Sequence, residues 1–312
     1  MKHGFNTQAV TSAPGEHAKF MVLSINDSKD SDEKVKNLTS NFSALVRSMR
    51  NRYPDLEVSG VMGFGANAFK RLFPDIGTPK ELKVFEPIKG KRFEAVSTPG
   101  DLFFHLRAKK EACIFELSTN IMEQLDGAVV CEDEVGGFRY FDGRAIVGFV
   151  DGTENPDFDK DSFAVIGEED AKFAGGSYAF VQKYIHDMKK WNAMSVEEQE
   201  KTIGRRKFDD VELDDETKPA NAHNAVTNIE DEDGNELKII RANMPFANPA
   251  KGEFGTYFIG YARHFSTTKK MLENMFVGEP VGNTDLLLEI STPVTGTLFY
   301  VPTFDFLDEQ SL

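Results

Sequence analysis

The chain has 312 residues, 40% of them hydrophobic and 27 of them phenylalanine. This length and apolar content allow one large domain or two ordinary ones with a substantial core, and they exclude an intrinsically disordered protein. The formal net charge of −15 and the pI of about 4.9 mean that phosphate backbones and anionic membrane surfaces would repel the chain. Nucleic acid and membranes are therefore not expected partners.

The cysteines and the apolar segments bear on the compartment. Cys113 and Cys131 have no CxxC spacing, which fits a reducing compartment and argues against a zinc site or a covalently attached c-type haem. We expect both to be core thiols, one in a helix and one in a strand. No stretch reaches the ~18 apolar residues of a membrane span, and residues 1–17 lack a twin-arginine pair. The expected location is the cytoplasm.

Hydrophobic periodicity in the first half of the chain predicts a βαββαβ-like order of elements. The helix over 32–51 places Val35, Leu38 and Phe42 at helical spacing. The other predicted helices cover 66–72 and 109–125. The predicted strands cover 20–25, 56–64, 101–107, 128–131 and 138–141.

The second half repeats this order, with helices predicted over 196–203 and 267–275 and strands over 177–185, 237–241, 256–261 and 297–301. We therefore expect an α+β fold of duplicated ferredoxin-like (βαββαβ) halves, with antiparallel sheets and peripheral helices. Residues 1–150 would form the N-terminal half and residues 151–312 the C-terminal half. The acidic segment 207–236 has little apolar periodicity, which predicts a solvated loop.

Residues 148–156 read Gly-Phe-Val-Asp-Gly-Thr-Glu-Asn-Pro, an apolar strand end that runs into Asp151 on a glycine-bearing turn. A carboxylate at the mouth of a pocket, backed by apolar residues, is partly desolvated, which raises its pKa and suits it to proton transfer. Taken alone, Asp-Gly after a strand is more often a plain hairpin turn that the aspartate caps. The loop therefore needs support from other segments.

Four further segments supply it. They are Ile-Gly-Arg-Arg-Lys at 203–207, His-Asn-Ala-Val at 223–226, Arg-Ala-Asn-Met-Pro at 241–245 and Asp-Leu-Leu-Leu at 285–288. With the 148–156 loop, and in this order, they resemble the dye-decolourising peroxidase family of haem enzymes, most closely its cytoplasmic bacterial branch with short loops. The resemblance covers nearly the whole chain, from the strand near Phe20 to residues 294–297.

The resemblance implies roles for individual residues. His223 matches the proximal histidine that binds haem iron, and Asp285 matches the acid that accepts that ring's other N–H. Asp151 and Arg241 match the pair on the opposite, distal face, where hydrogen peroxide binds, and Asn243 matches a third distal polar residue.

Further positions concern the binding of the cofactor. The resemblance places the haem in a cavity of the C-terminal half, capped by the Asp151 loop, so Gly152, Thr153 and Glu154 are expected to contact it. Arg205 matches a basic residue near the haem propionates, although the adjacent Arg206 competes for this role. Phe258 is a candidate for the apolar distal wall, with a plain core role as the alternative.

The chemistry explains these residue types. A carboxylate on the far nitrogen of a ligating imidazole makes the ligand more electron-rich, which favours higher iron oxidation states. Asp151 can take the proton from one peroxide oxygen and return it to the oxygen that leaves as water. Arg241 can stabilise the charge on the leaving oxygen and hold Asp151 in place. Burial raises the pKa of Asp151, whereas a nearby guanidinium lowers it.

Each residue also has a structural alternative. His223 could be a surface or capping residue, Arg241 could form a salt bridge at a strand end, and Asp285 could cap a short helical turn. Trp191 and Tyr184 could relay electrons to bulky reductants, although simple packing is the favoured role. The remaining histidines, His186 among them, are assigned structural roles.

The sequence therefore predicts a peroxidase with non-covalently bound haem b (iron protoporphyrin IX) that reduces hydrogen peroxide to water. Its donors would be small aromatic, dye-like or phenolic compounds, oxidised through ferryl intermediates. The resemblance also implies a homo-oligomer. One alternative is a haem- or porphyrin-handling protein that releases iron from haem or oxidises porphyrinogens. Another is a ferredoxin-like binding module without haem.

Overall fold

The computed structural model describes residues 4–310. Among these residues the strands form one ten-stranded sheet and two two-stranded hairpins, all with antiparallel pairing. The strands are β1 His17–Ile25, β2 Ser59–Gly65, β3 Ile88–Lys89, β4 Glu94–Ala95, β5 Leu102–Ala108, β6 Val129–Phe138, β7 Ser177–His186, β8 Ile229–Glu230, β9 Glu236–Leu237, β10 Ile240–Arg241, β11 Met244–Asn248, β12 Glu253–Ala262, β13 Ser291–Pro293 and β14 Thr297–Val301.

Helices pack against several strands of this sheet. They are α1 Lys29–Arg52, α2 Ala66–Leu72, α3 Glu111–Gln124, α4 Lys160–Ala164, α5 Met188–Ala193, α6 Val196–Ile203, α7 His223–Thr227, α8 Phe265–Phe276 and α9 Phe304–Asp308. Short 3-10 turns lie at Pro54–Leu56, Phe141–Gly143, Glu168–Phe173, Pro249–Lys251 and Leu286–Glu289. None of the helices formed by residues 4–310 is both long and apolar enough to cross a membrane.

The strand order reveals a duplication. Along the sheet the strands run β10-β12-β7-β14-β2-β5-β1-β6. Numbered along the chain within its own set, each half therefore places its second, third, first and fourth strand side by side, which is the ferredoxin-like order. The two sets join where β14 pairs with β2, through Phe299↔Gly65 and Tyr300↔Phe64. The expected duplicated α+β fold is confirmed.

Local sequence explains the longest helix. The side chain of Ser28 caps α1 by accepting a hydrogen bond from the backbone N–H of Ser31. Acidic residues in the first turn and basic residues in the last turn oppose the partial charges of the helix ends. The predicted apolar face, including Val35, Leu38 and Phe42, is buried in the main core.

Strand β12 connects the fold to the cavity described below. Because side chains alternate across a strand, Tyr257, Ile259 and Tyr261 pack into one hydrophobic core. Phe258 points to the opposite face, where it packs on the other core and lines the cavity. One face of β12 is therefore packed in a hydrophobic core, and this fixes the position of Phe258 in the cavity wall.

Two expectations about strands are wrong in detail. The strand predicted over 128–131 continues to Phe138 as β6, in which Glu132 and Glu134 interrupt the apolar pattern, and only Phe138 of the strand predicted over 138–141 belongs to it. β6 ends the sheet order, so part of it faces solvent, and Cys131 is exposed on it, whereas Cys113 is buried as expected. The predicted strand 237–241 is divided into the short strands β9 and β10.

Candidate active site

A cavity lies between the 145–154 segment, β7, β12, α7 and α8, and its volume is about 1210 Å³ when its opening to solvent is included. Its wall is mainly apolar and includes Val147, Phe149, Phe258, Met275 and Leu288. A small number of polar side chains converge on it from different elements. Such a combination is typical of a site for a mostly apolar organic ligand that polar groups orient.

His223, the first residue of α7, is one of these polar residues. Its Nδ1 lies 2.6 Å from Oδ2 of Asp285, whose side chain is fully buried. The other ring nitrogen, Nε2, makes no hydrogen bond within residues 4–310, and 33% of the side-chain surface is exposed. The carboxylate holds the proton on Nδ1, so Nε2 keeps a free lone pair.

The segments that carry this pair are tied together by backbone groups. The N–H of Leu286 donates to the carbonyl of Asn221 at 3.0 Å, and the side chain of Asn221 donates to the carbonyl of Thr284 at 3.0 Å. Oδ1 of Asp285 accepts from the N–H of Leu287 at 2.8 Å, so Asp285 caps the following 3-10 turn as well as bonding to the histidine. The capping role and the role implied by the resemblance therefore coexist.

A second histidine, His186, also lines the cavity, which the sequence did not indicate. Its Nδ1 is 2.7 Å from Oγ of Ser291 and its Nε2 is 2.9 Å from Oγ1 of Thr256. Burial lowers its pKa to about 4, so the ring is neutral at ordinary pH. Both nitrogens are occupied, which leaves His223 as the cavity histidine with a free nitrogen among the described residues.

Asp151 reaches the cavity from the tight turn predicted by the sequence. Gly148 and Gly152 flank it with φ values of 92° and 82°, a region that favours glycine. The N–H of Asp151 donates to the carbonyl of Gly143 at 3.0 Å, and its Oδ1 accepts from Nδ2 of Asn243 at 3.1 Å.

The electrostatic setting of Asp151 contains opposing influences. Burial, the largest, raises the pKa of this carboxyl above its usual value, while the hydrogen bond from Asn243 and the charge of Arg241 oppose it. Asn243 is itself held, because its Oδ1 accepts from the N–H of Ile259 at 3.1 Å. This fixes which end of the amide faces Asp151.

Arg241 lies on the short strand β10, opposite Gly260 of β12. Burial lowers the pKa of its guanidinium, and the charges of Asp151 and Glu154 oppose that effect. No carboxylate among residues 4–310 lies within ion-pairing distance of it, and its side-chain hydrogen bond is a 3.9 Å contact from Nη2 to Sδ of Met271. The expectation that Arg241 holds Asp151 is not met, because Asn243 makes that contact instead.

Asn155 joins the two segments that carry Asp151 and Arg241. Its Nδ2 donates to the carbonyl of Arg241 at 2.8 Å, and its Oδ1 accepts from the N–H of Arg241 at 2.8 Å. The side-chain amide thus pairs with a strand backbone as a neighbouring strand would. Asn155 lies in the 148–156 loop motif, but no local sequence pattern indicated this role.

Arg205 also lines the cavity, and its largely buried side chain lies among three carboxylates, those of Glu154, Asp210 and Glu212. Its Nη1 lies 3.0 Å from Oε1 of Glu154, and its Nε lies 3.0 Å from Oδ1 of Asp210. The competing residue Arg206 is exposed, pairs with Asp209 and does not line the cavity. Geometry therefore favours Arg205 over its neighbour.

The aromatic residues considered as electron relays differ in their surroundings. Trp191 is 1% exposed, packs edge-on against Phe149 and donates from its indole to the carbonyl of Val147 at 2.9 Å. Its position supports the packing role. Tyr184 lines the cavity, and its hydroxyl donates to Oε1 of Gln182 at 2.5 Å.

The structure thus brings the predicted site residues to one place. Those that line the cavity are Asp151, Gly152, Thr153, Glu154, Arg205, His223, Arg241, Asn243 and Phe258. Asp285 lies behind His223, outside the wall. Their functional roles stay predictions, since the geometry gives their positions alone.

Comparisons with known proteins cover almost the entire chain. Residues 7–139 match the family model "Dyp-type peroxidase, N-terminal", and residues 142–306 match "Dyp-type peroxidase, C-terminal". The dye-decolorizing peroxidase of Mycolicibacterium paratuberculosis is 50% identical to this chain, and the match covers 94% of this chain and 82% of that protein. The dye-decolorizing peroxidase of Mycobacterium tuberculosis is also 50% identical, over 93% of this chain and 86% of that protein.

Solved structures give the same result. The dye-decolorizing peroxidase of Bacteroides thetaiotaomicron superposes with a TM-score of 0.95 at 63% identity, covering 98% of this chain and 99% of that one. A DypB variant from Rhodococcus jostii RHA1 in complex with heme has a TM-score of 0.94 at 46% identity, over 96% of this chain and 97% of that one. The chain therefore belongs to the dye-decolorizing peroxidase family of haem enzymes.

Proposed function

We propose that haem b binds non-covalently in this cavity with Nε2 of His223 as its axial ligand, and that the protein reduces hydrogen peroxide at the expense of aromatic or phenolic donors. The pair of His223 and Asp285 carries the proposal. A ligating imidazole needs one free nitrogen and a hydrogen bond that fixes its tautomer, and the 2.6 Å contact to a buried carboxylate supplies the latter.

The remainder of the cavity fits an iron porphyrin. Apolar side chains such as Val147, Phe258 and Leu288 suit the macrocycle, and the partly exposed imidazole suits the iron. The hydroxyl of Thr268 is buried without a hydrogen-bond partner among the described residues and lines the same wall. Arg205 is a cation at the wall, although the carboxylates of Glu154, Asp210 and Glu212 partly neutralise its charge.

When bound, the haem iron supplies the centre that accepts peroxide and stores its two oxidising equivalents. Asp151 removes the proton from one peroxide oxygen and delivers it to the oxygen that leaves as water. Because burial raises the pKa of Asp151, it keeps a transferred proton more readily than an ordinary aspartate would, and so can return it. Its Oδ1 accepts the hydrogen bond from Asn243, which orients the carboxyl in the cavity for this transfer.

Arg241 has a different task. A guanidinium with no carboxylate partner among residues 4–310 is available to stabilise the negative charge that develops on the leaving oxygen. The pairing of β10 with β12 and the clamp from Asn155 hold its backbone in place before the reaction. Arg241 thus acts through charge, while Asp151 acts through proton transfer.

Absorption spectra of the purified protein before and after addition of peroxide test the proposal. Wild type should show a Soret band that changes rapidly with one equivalent of peroxide, and His223→Ala should lose the axial-ligand signature. His186→Gln is a matched control, because His186 lines the same cavity with both ring nitrogens engaged. Retention of the wild-type spectrum by His223→Ala would refute the assignment.

The haem- or porphyrin-handling alternative requires the cavity and His223 but has less use for Asp151 together with an unpaired Arg241. The arrangement of these two residues therefore favours the peroxidase. Stopped-flow spectra separate the two functions, since a ferric spectrum that peroxide leaves unchanged would support the alternative.

Three broader features of the protein are also proposals. We propose that the chain divides at residues 150 and 151 into two halves, that it works in the cytoplasm, and that it self-associates. The strand order supports the first, and family membership supports the other two.

Among the relatives, the peroxidase of Mycobacterium smegmatis is described as encapsulated. Its structure has a TM-score of 0.95 and 51% identity over 97% of this chain and 98% of that one. Light scattering of the purified holoenzyme tests self-association.

A further inference from the structure

Met271 of α8 occupies an unusual position beside the candidate catalytic arginine. Its Sδ is 3.9 Å from Nη2 of Arg241 and accepts the one hydrogen bond that the guanidinium donates within residues 4–310. A thioether is a weak acceptor, so it holds the cation lightly and leaves its charge available. Met271 belongs to a buried hydrophobic cluster with Ile229, Ile239 and Ala262.

The main cavity is the route by which peroxide would meet Met271, a residue that is only 5% exposed. Met271 lines that cavity, and it also borders a smaller, narrow one. The two cavities share Glu154, Thr227, Arg241 and Met271, and the smaller one extends to the exposed Glu236. The thioether therefore lies where peroxide would approach Arg241.

We propose that Met271 positions the guanidinium of Arg241 and is the residue at which excess hydrogen peroxide modifies this enzyme. The sulfur attacks one peroxide oxygen, the O–O bond breaks, and the other oxygen leaves as water with both protons. Sulfur is oxidised by two electrons to the sulfoxide, and peroxide is reduced by two. The inference rests on the proposed function insofar as peroxide must enter the cavity.

The sulfoxide would change the hold on Arg241. Its oxygen is a strong acceptor placed among Ile229, Ile239 and Ala262, where burying it without a hydrogen bond is costly. The nearby donor is the guanidinium, and a hydrogen bond from a cation is roughly twice as strong as a neutral one. Arg241 would then be drawn toward Met271 and away from the reacting oxygens. Methionine sulfoxide is reducible enzymatically, so the effect is reversible.

The holoenzyme is incubated with excess hydrogen peroxide without a donor, and peptide mass spectrometry then measures the gain of one oxygen at Met271. We expect modification there, together with a loss of about tenfold in kcat/KM for peroxide, less than the 10²–10³ that removal of a whole donor costs. Methionine sulfoxide reductase should restore this part of the activity. Haem content, measured in parallel, separates it from bleaching.

Two variants sharpen the experiment. Met271→Leu should resist the reversible loss, whereas Met275→Leu should lose activity as wild type does, because Met275 lines the cavity without bonding to Arg241. An unmodified Met271, or equal reversible losses in both variants, would overturn the inference. Fresh enzyme without peroxidase activity would instead refute the proposed function, while the mass spectrum would still decide the modification.

Discussion

Replacement of Asn155 by alanine tests whether the clamp between the two catalytic segments matters. The change removes two 2.8 Å hydrogen bonds to the backbone of Arg241. At about 1 kcal/mol for each bond, the free energy of unfolding should fall by about 2 kcal/mol. At roughly 2 °C for each kcal/mol, as in larger domains, the Tm should fall by about 4 °C.

The effect on peroxide should be larger than the effect on stability. Asp151 lies four positions before Asn155, so loss of the clamp frees the carboxylate loop from the strand of Arg241. Since a misplacement of about 1 Å can cost 10²-fold, kcat/KM for peroxide should fall between tenfold and a hundredfold. The steps that oxidise the donor should change much less. A loss of folded protein would instead slow the peroxide reaction and donor oxidation equally.

Stopped-flow measurement of the peroxide reaction, with differential scanning calorimetry, provides the assay. Asp157→Ala is the matched control, because Asp157 is exposed two positions further on and makes no hydrogen bond or ion pair among the described residues. If Asn155→Ala reacts with peroxide and melts as the control does, the clamp has no role in positioning. If the reaction with peroxide and the oxidation of the donor slow equally, the role of Asn155 is only structural.

Arg241→Leu should lower kcat/KM for peroxide by about 10²–10³, whereas Asp151→Asn should leave more activity, as stopped-flow traces will show; equal losses would contradict separate roles. Because burial raises the pKa of Asp151 in the folded state, the folded protein keeps this proton above about pH 4, where the unfolded chain has lost it. The penalty on stability therefore grows as the pH rises through the folded-state pKa and is constant above it. Asp151→Asn should therefore raise the Tm at pH 7 but not near pH 4, and a uniform rise would argue against ionisation as the cause. Asp285→Ala should weaken haem binding about 10- to 100-fold in a titration of apoprotein, and unchanged affinity would show that the carboxylate does not support His223.

Much of the fold could be predicted where local signals mark both ends of an element. Helix α6 agrees with the prediction to the residue because Ser195 and Glu198 form a capping box at its start and Gly204 ends it in the left-handed conformation. Strand β6 was predicted in two pieces because an edge strand can carry charged residues on its open side. Cys131 was misplaced for the same reason.

The candidate site was predictable only where residues lie in a motif. His223 and Asp285, 62 positions apart, were paired through the family resemblance, not through any local pattern. His186 reads locally as an ordinary residue at the end of a strand, and its place in the cavity depends on Thr256 and Ser291 far along the chain. Met271 looks like any apolar helix residue, since its contact with Arg241 exists only in three dimensions.

The junction between β14 and β2 has a consequence for how the chain can be divided. Phe299 and Tyr300 pair across it with Gly65 and Phe64, and all three aromatic side chains are buried. A fragment made by cutting the connection after β6 would expose unpaired backbone amide and carbonyl groups next to hydrophobic aromatic side chains. Such an edge is a template for intermolecular β-aggregation. Two co-expressed fragments would instead pair along that row of groups. We therefore expect the two parts of this continuous sheet to complement each other when expressed together and not to fold separately.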